Sequence, residues 1–186
     1  LANTKTGSTS IEAALEQMAH VAIRRPPQLK HIRARSFNQH FRPLLHSKGG
    51  GSFTTIALMR DPVDWLGSWF RYRQRDDLGD TAPSTAGLDF TAFVEAYLSP
   101  EPPDFANVGS QAGFLGDAKG NLLVDRVFRY EALDSFVHFL EDTLGCAITL
   151  PHINVSPKAP MDLPGPLRDR LMQALAPDYA IYNALA

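Results

Sequence analysis

The chain has 186 residues and 20.5 kDa, with 44% hydrophobic, 20% charged and 10% aromatic residues. This composition excludes a disordered, collagen-like or disulfide-rich chain, and the length suits one α/β or α+β domain burying ~70% of its unfolded surface. Net charge is only −2, and a pI of about 6.3 argues against duplex nucleic acid as a partner.

In chain order, Ile11, Ala14, Leu15 and Met18 follow helical spacing, which predicts a helix from Ile11 to His20, with Thr9 and Glu12 as a capping box. Leu29 to Arg35 reads as a short strand or a loop. The stretch Thr54 to Met59 reads as a buried strand ending at Arg60, and Pro62 opens a helix whose stripe is Trp65, Leu66, Trp69 and Tyr72. Those three Trp and Tyr rings are expected in the core. Phe90, Phe93, Val94 and Tyr97 mark a helix, Leu122 to Phe128 a strand, and Glu131 to Leu144 a helix closed by Gly145. A last helix is expected from Pro164 to Leu175. Lys48 to Gly51 and Thr81 to Gly87 read as surface loops. Strands alternating with helices predict a single α/β domain with a parallel sheet covered on both sides, and a ligand at the carboxyl ends of its strands.

Charge is unevenly placed. Residues 1–60 carry +7 and residues 61–186 carry −9, with no acid from Gln17 to Arg60. A basic first third points to an anionic ligand, or to a solvated basic face. The one cysteine, Cys146, excludes an internal disulfide and fits a reducing, cytoplasmic setting. No apolar run approaches the ~18 residues of a membrane span. No His/Cys/Asp/Glu cluster has metal-ligand spacing.

Three short motifs could carry chemistry. In Lys5-Thr6-Gly7-Ser8-Thr9-Ser10 a glycine lets the backbone turn into a helix, whose first N–H groups face whatever lies over its end. The hydroxyls add donors and Lys5 a positive charge, so the loop can cradle a phosphate or sulfate. It is not the G-x-x-x-x-G-K-[ST] loop, because the lysine precedes the glycine. In Arg60-Asp61-Pro62 with Ser68, an arginine at the end of a buried strand is costly unless it meets an anion, and Ser68 can point back to the same strand end. Arg129-Tyr130-Glu131 joins a strand to a helix and could pack on a flat base.

In this order the motifs resemble those of sulfotransferases that use 3′-phosphoadenosine 5′-phosphosulfate (PAPS), closest to the bacterial and carbohydrate-type members. The family loop P-K-T-G-[GST]-[ST]-[ST] stands here as Thr4 to Ser10, with threonine in place of proline. The block R-[DN]-P-x-[DE]-[RW]-x-x-S is matched from Arg60 to Ser68, and R-[YF]-E by Arg129-Tyr130-Glu131. Gln111 matches a glutamine upstream of that block. Pro151 to Ser156 resembles a late P-x-x-N-x-[ST] segment. The resemblance implies a P-loop-like parallel sheet flanked by helices and a sulfuryl transfer from PAPS to a hydroxyl or amine acceptor. It implies that Lys5, Thr6, Gly7, Ser8, Thr9 and Ser10 hold the 5′-phosphosulfate and that Arg60 and Ser68 hold the 3′-phosphate. Arg129, Ser156 and Lys158 would enclose the nucleotide. It also places a strand before Lys5, where only Leu1-Ala2-Asn3 stand, so that strand is expected short or truncated.

Sulfuryl transfer needs charge stabilised on the leaving phosphate and a proton removed from the acceptor. Lys5 suits the first task. His31, in Leu29-Lys30-His31-Ile32, is the candidate base, with a surface or structural histidine as the alternative. If Arg24, Arg25, Lys30, Arg33, Arg35 and Arg42 line an acceptor pocket, a small-molecule or carbohydrate acceptor carrying its own negative charge is favoured. Two rival functions stand beside this one. A nucleotide-dependent small-molecule kinase would need an acid for magnesium, such as Asp61. A non-catalytic nucleotide-binding module would keep the cradle without the base.

Overall fold

A computed structural model describes residues 1–49, 51–75, 83–151 and 160–185. Its organising feature is a parallel pair of strands, β1 (Ile56–Met59) and β2 (Arg126–Arg129), in register from Ile56 opposite Arg126 to Met59 opposite Arg129. Both strands therefore end at the same level, and Arg60 and Tyr130 leave them side by side. Successive side chains of a strand face opposite ways. Ala57 and Met59 join one buried cluster with Phe114, Leu115 and Ile181, while Leu58 joins another with Phe136, Leu140 and Ile148. The pair is thus covered on both faces, as expected, although among the described residues the sheet has two strands only.

Helices supply the covers. α1 (Ser8–Leu15) starts and ends earlier than its periodicity predicts and runs into a 3-10 turn, Glu16–Met18. The expected capping box does not form. Gly7 sits at the cap in a left-handed conformation (φ 73°) without a side-chain bond, and Glu12 accepts instead from Lys30 at 2.6 Å. Leu29 to Arg35 is neither strand nor plain loop. Pro27, with φ fixed for a first helical position, starts α2 (Pro27–Lys30), and α3 (Ala34–Ser36) continues through a π turn, Phe37–Phe41, into α4 (Arg42–Gly49). This run is too short and too basic for its period to show.

α5 (Pro62–Tyr72) begins as expected. Asp61 caps it, accepting from the Val63 and Asp64 N–H groups at 3.0 Å. α6 (Phe90–Tyr97) is capped by Asp89. The periodicity gave no signal for α7 (Gln111–Leu115), which is five residues long. The second strand starts later than Leu122, because the Asp125 carboxylate is taken by the Thr55 N–H (2.7 Å) and hydroxyl (2.6 Å) ahead of the ladder. A 3-10 turn, Tyr130–Ala132, leads into α8 (Leu133–Leu144), which Gly145 ends at φ 69° as expected. α9 (Gly165–Ala174) and α10 (Ala176–Ala184) close the chain. α9 packs with α5 and α6 in a third cluster around Trp65, Phe70, Phe93 and Leu171. Among the described residues no helix is long and apolar enough to cross a membrane.

Candidate functional site

The parallel register dictates where a site can form. Three segments end together at the carboxyl edge of the strand pair: the Lys5 loop, Arg60 after β1, and Tyr130 after β2. Residues 1–3 lie along β1, with the Leu1 main-chain nitrogen donating to the Ile56 carbonyl and the Asn3 side-chain amide to the Leu58 carbonyl at 3.0 Å. Asn3 is buried, and its carbonyl accepts from the Thr6 hydroxyl at 2.9 Å. The indole N–H of Trp65, inside α5, donates to the Thr4 carbonyl at 2.8 Å. The loop is therefore pinned at both its start and its middle by buried groups. Lys5 (φ 59°) and Gly7 (φ 73°) both take left-handed backbone, which turns the chain sharply into α1.

One buried side chain joins the loop to the strand end. The Gln111 amide is fully buried; its oxygen accepts from Asn3 at 3.1 Å and from the Arg60 N–H at 2.9 Å, and its nitrogen donates to the Arg60 carbonyl at 2.7 Å. Asp178 of α10 fixes Gln111 in turn, accepting from its main-chain N–H at 2.8 Å and from that of Ala112 at 3.1 Å. Burial pushes the Asp178 carboxyl up and those two donors pull it down, burial being the larger effect. A second link comes from Glu131, which accepts from the Asp61 N–H at 2.8 Å and the Tyr182 hydroxyl at 2.9 Å. It holds Tyr130 with the Arg60 guanidinium 4.9 Å from the centre of its ring. A Cβ on Gly7 would lie 3.2 Å from the same ring, so the loop can approach Tyr130 this closely only as glycine.

These segments enclose a cleft of about 800 Å³, a size that suits a nucleotide-sized ligand. Of the expected site residues, Lys5, Gly7, Ser8, Thr9, Ser10, Arg60, Ser68 and His31 line it together; Thr6 is buried beneath, holding the loop. Arg129 does not reach it. Its guanidinium lies over the Tyr182 ring and donates to the Tyr182 carbonyl at 3.3 Å, and Tyr130 takes its place on the wall. Ser156 and Lys158 lie outside the described residues, as does most of the late Pro151 to Ser156 segment.

His31 is oriented by its Nδ1, 2.7 Å from the Ala2 carbonyl. A carbonyl only accepts, so Nδ1 carries the hydrogen, and in the neutral ring the lone pair sits on Nε2. Lys5 extends over the aromatic residues of α5, its Nζ 3.8 Å from the Tyr72 ring centre and 5.6 Å from that of Trp69. Trp65 is core, as expected; Trp69 and Tyr72 instead present faces to the cleft. Burial, and then the charges of Arg60, Arg75, Arg71 and Arg73, lower the Lys5 ammonium from its ordinary 10.5 to about 8.

From the basic first third, Lys5, Lys30 and Arg60 reach the cleft, but the other basic residues expected to line an acceptor pocket do not. Arg24 pairs with Glu16 and Arg42 with Asp125 (2.8 Å), both away from the cleft, and of the six residues expected there only Lys30 lines it, paired with Glu12. Arg71 and Arg75, near the end of α5, add to the charge of Lys5, Lys30 and Arg60. A helical spacing of three and seven from Ser68 was the available signal for them. Among the described residues, no aspartate or glutamate lines the cleft, and no group of three or more His, Cys, Asp or Glu could hold a metal. The Arg60 Nε is buried without a hydrogen-bond partner, as are the Nε atoms of Arg42 and Arg129 outside the cleft, so it does not by itself mark a ligand. A scan against protein-family models, a search of curated proteins and a search of solved structures each returned no match.

Proposed function

We propose that the protein is a PAPS-dependent sulfotransferase with a P-loop-like arrangement, acting on a hydroxyl or amine acceptor. One observation carries this reading. The lysine-bearing glycine loop and the Arg60–Ser68 corner, far apart in sequence, line one cleft whose described residues include several cations and no carboxylate. A nucleotide with phosphates at its 5′ and 3′ positions has its charge at two separated points and needs two such seats. The Arg60 guanidinium and the Ser68 hydroxyl on the cleft wall fit a 3′-phosphate, and the loop N–H groups of a left-handed glycine turn fit the 5′ end.

Bound PAPS supplies an activated sulfuryl group, transferred in line between two oxygens, or from oxygen to an amine nitrogen, with little covalent help. The chain's own groups do the rest. The acceptor's oxygen or nitrogen bonds to sulfur while the bond from sulfur to the 5′-phosphate oxygen breaks. The Lys5 ammonium and the loop N–H groups stabilise the charge left on that phosphate. His31 Nε2 takes the acceptor proton, and the Ala2 carbonyl holds the ring in the tautomer that permits it.

The kinase alternative loses its acid. Asp61 is spent capping α5 and accepting from the Tyr179 hydroxyl at 3.2 Å, and it is not a lining residue. Thermal-shift titration separates the readings. Stabilisation by 3′-phosphoadenosine 5′-phosphate and not by ATP with magnesium is expected, and the reverse would favour the kinase. Tight binding with no sulfation across a broad acceptor panel would favour the non-catalytic module.

A further inference from the structure

The interior of α5 holds a glycine, Gly67, where an alanine would stabilise a helix by about 1 kcal/mol. The structure shows what the missing side chain makes room for. An ideal Cβ there would overlap the Met161 Sδ and stand 3.1 Å from the Arg71 Nη1. The Arg71 guanidinium thus folds back one turn along the helix, over Gly67, toward Ser68 and the tip of β1. Its one hydrogen-bond partner there is the Met161 sulfur at 2.8 Å, a weak acceptor that leaves most of the fork's donors unused. Arg71, Ser68 and Arg60 all line the cleft. Burial and then the neighbouring charge of Arg60 lower the proton affinity of Arg71, against an opposing pull from Asp64. Two like-charged guanidiniums share the cleft wall with Ser68, and a bound dianion would relieve their repulsion.

We infer that Arg71, given its path by Gly67, is the second guanidinium of the 3′-phosphate seat and makes the protein select nucleotides that carry a 3′-phosphomonoester. This rests on the reading of the cleft as a PAPS site. The charge arithmetic favours it: a phosphomonoester carries about −1.5 to −2 at neutral pH. Arg60 offers one positive charge and Ser68 none. Arg60 with Arg71 matches the dianion, whereas a 3′-hydroxyl would leave two half-buried guanidiniums on one wall without an anion between them, which penalises the unphosphorylated nucleotide.

Calorimetric titration of the full chain with two probes tests this: 3′-phosphoadenosine 5′-phosphate, and adenosine 5′-phosphate, which lacks the 3′ group. Arg71→Met keeps the stem over Gly67 and removes the charge. It is expected to weaken the bisphosphate about 10- to 100-fold and to leave the monophosphate within about 2-fold. Arg71→Lys, which restores the charge without the fork, should recover part of the loss. Equal weakening of both probes, or of neither, overturns the role of Arg71 while leaving the cleft reading in place. Failure of the wild-type protein to bind the bisphosphate overturns both.

Discussion

The two seats proposed for the nucleotide's anions are built in opposite ways. The Lys5–Ser10 seat is mostly backbone: two left-handed residues, the first N–H groups of α1, and buried tethers from Asn3, Thr6 and Trp65. The Arg60–Ser68 corner is mostly side chains, set on a strand tip and a capped helix. A backbone seat is shaped by what pins it and tolerates few changes beneath it. A side-chain seat can be dismantled one group at a time with the fold intact. Gln111 joins them, bonding to Asn3 under the first and to both main-chain groups of Arg60 in the second.

That contrast can be broken or sharpened by substitution. The largest effect belongs to the first seat's only charge. Lys5→Ala should lower turnover by ~100- to 1000-fold in a sulfation assay while circular dichroism shows a folded protein; turnover within 3-fold of wild type would remove Lys5 from the chemistry. Gln111→Leu should damage both seats at once. It leaves one of the two N–H donors of the buried Asn3 amide and two Arg60 backbone groups without partners, at about 2–4 kcal/mol, which is a fall of roughly 5–15 °C in Tm by calorimetry. An unchanged Tm would mean the link is ornamental. Arg60→Ala should instead leave Tm within about 2 °C and weaken 3′-phosphoadenosine 5′-phosphate by ~10- to 100-fold.

A pH series separates the seats further, because guanidiniums stay charged where Lys5 does not. With Lys5 lowered to about 8, its charge is present below that pH and lost above it, so nucleotide affinity should fall from pH 7 to 9.5 and the fall should vanish in Lys5→Met. Linkage has the opposite sign for the free protein. Between about 8 and 10.5 the unfolded chain binds more protons at this site than the folded one, so Lys5's contribution to stability rises with pH over that interval. The smallest effect is outside the cleft. Arg24→Gln removes an exposed pair with Glu16 and should change neither affinity nor Tm measurably, since such pairs contribute ~0–1 kcal/mol.

The same contrast explains what could be read from the sequence. Lys5 to Ser10, and Arg60 with Ser68, are legible because their chemistry is packed into a few consecutive residues or one helical repeat. β1, α5, α6 and α8 are legible because each carries enough apolar residues in period. α7 is too short for that. The resemblance names Gln111 without giving it a role; it lies 51 residues from Arg60 along the chain, and a lone buried amide leaves no local pattern that shows what it joins. Arg24, Arg25, Arg33, Arg35 and Arg42, expected at an acceptor pocket and absent from the cleft wall, mislead for a related reason. Charge can be counted from sequence, but whether an arginine meets a ligand or an acid, as Arg42 meets Asp125, depends on partners 83 residues away. Arg129 fails likewise, because Tyr182 of α10 captures it.

The most direct test of two seats gripping one nucleotide is a crystal structure with 3′-phosphoadenosine 5′-phosphate. The account predicts the 5′-phosphate over the N–H groups from Gly7 to Thr9 and the 3′-phosphate between Arg60 and Ser68. A nucleotide that fills only one of these positions, or that binds outside the cleft, would contradict it.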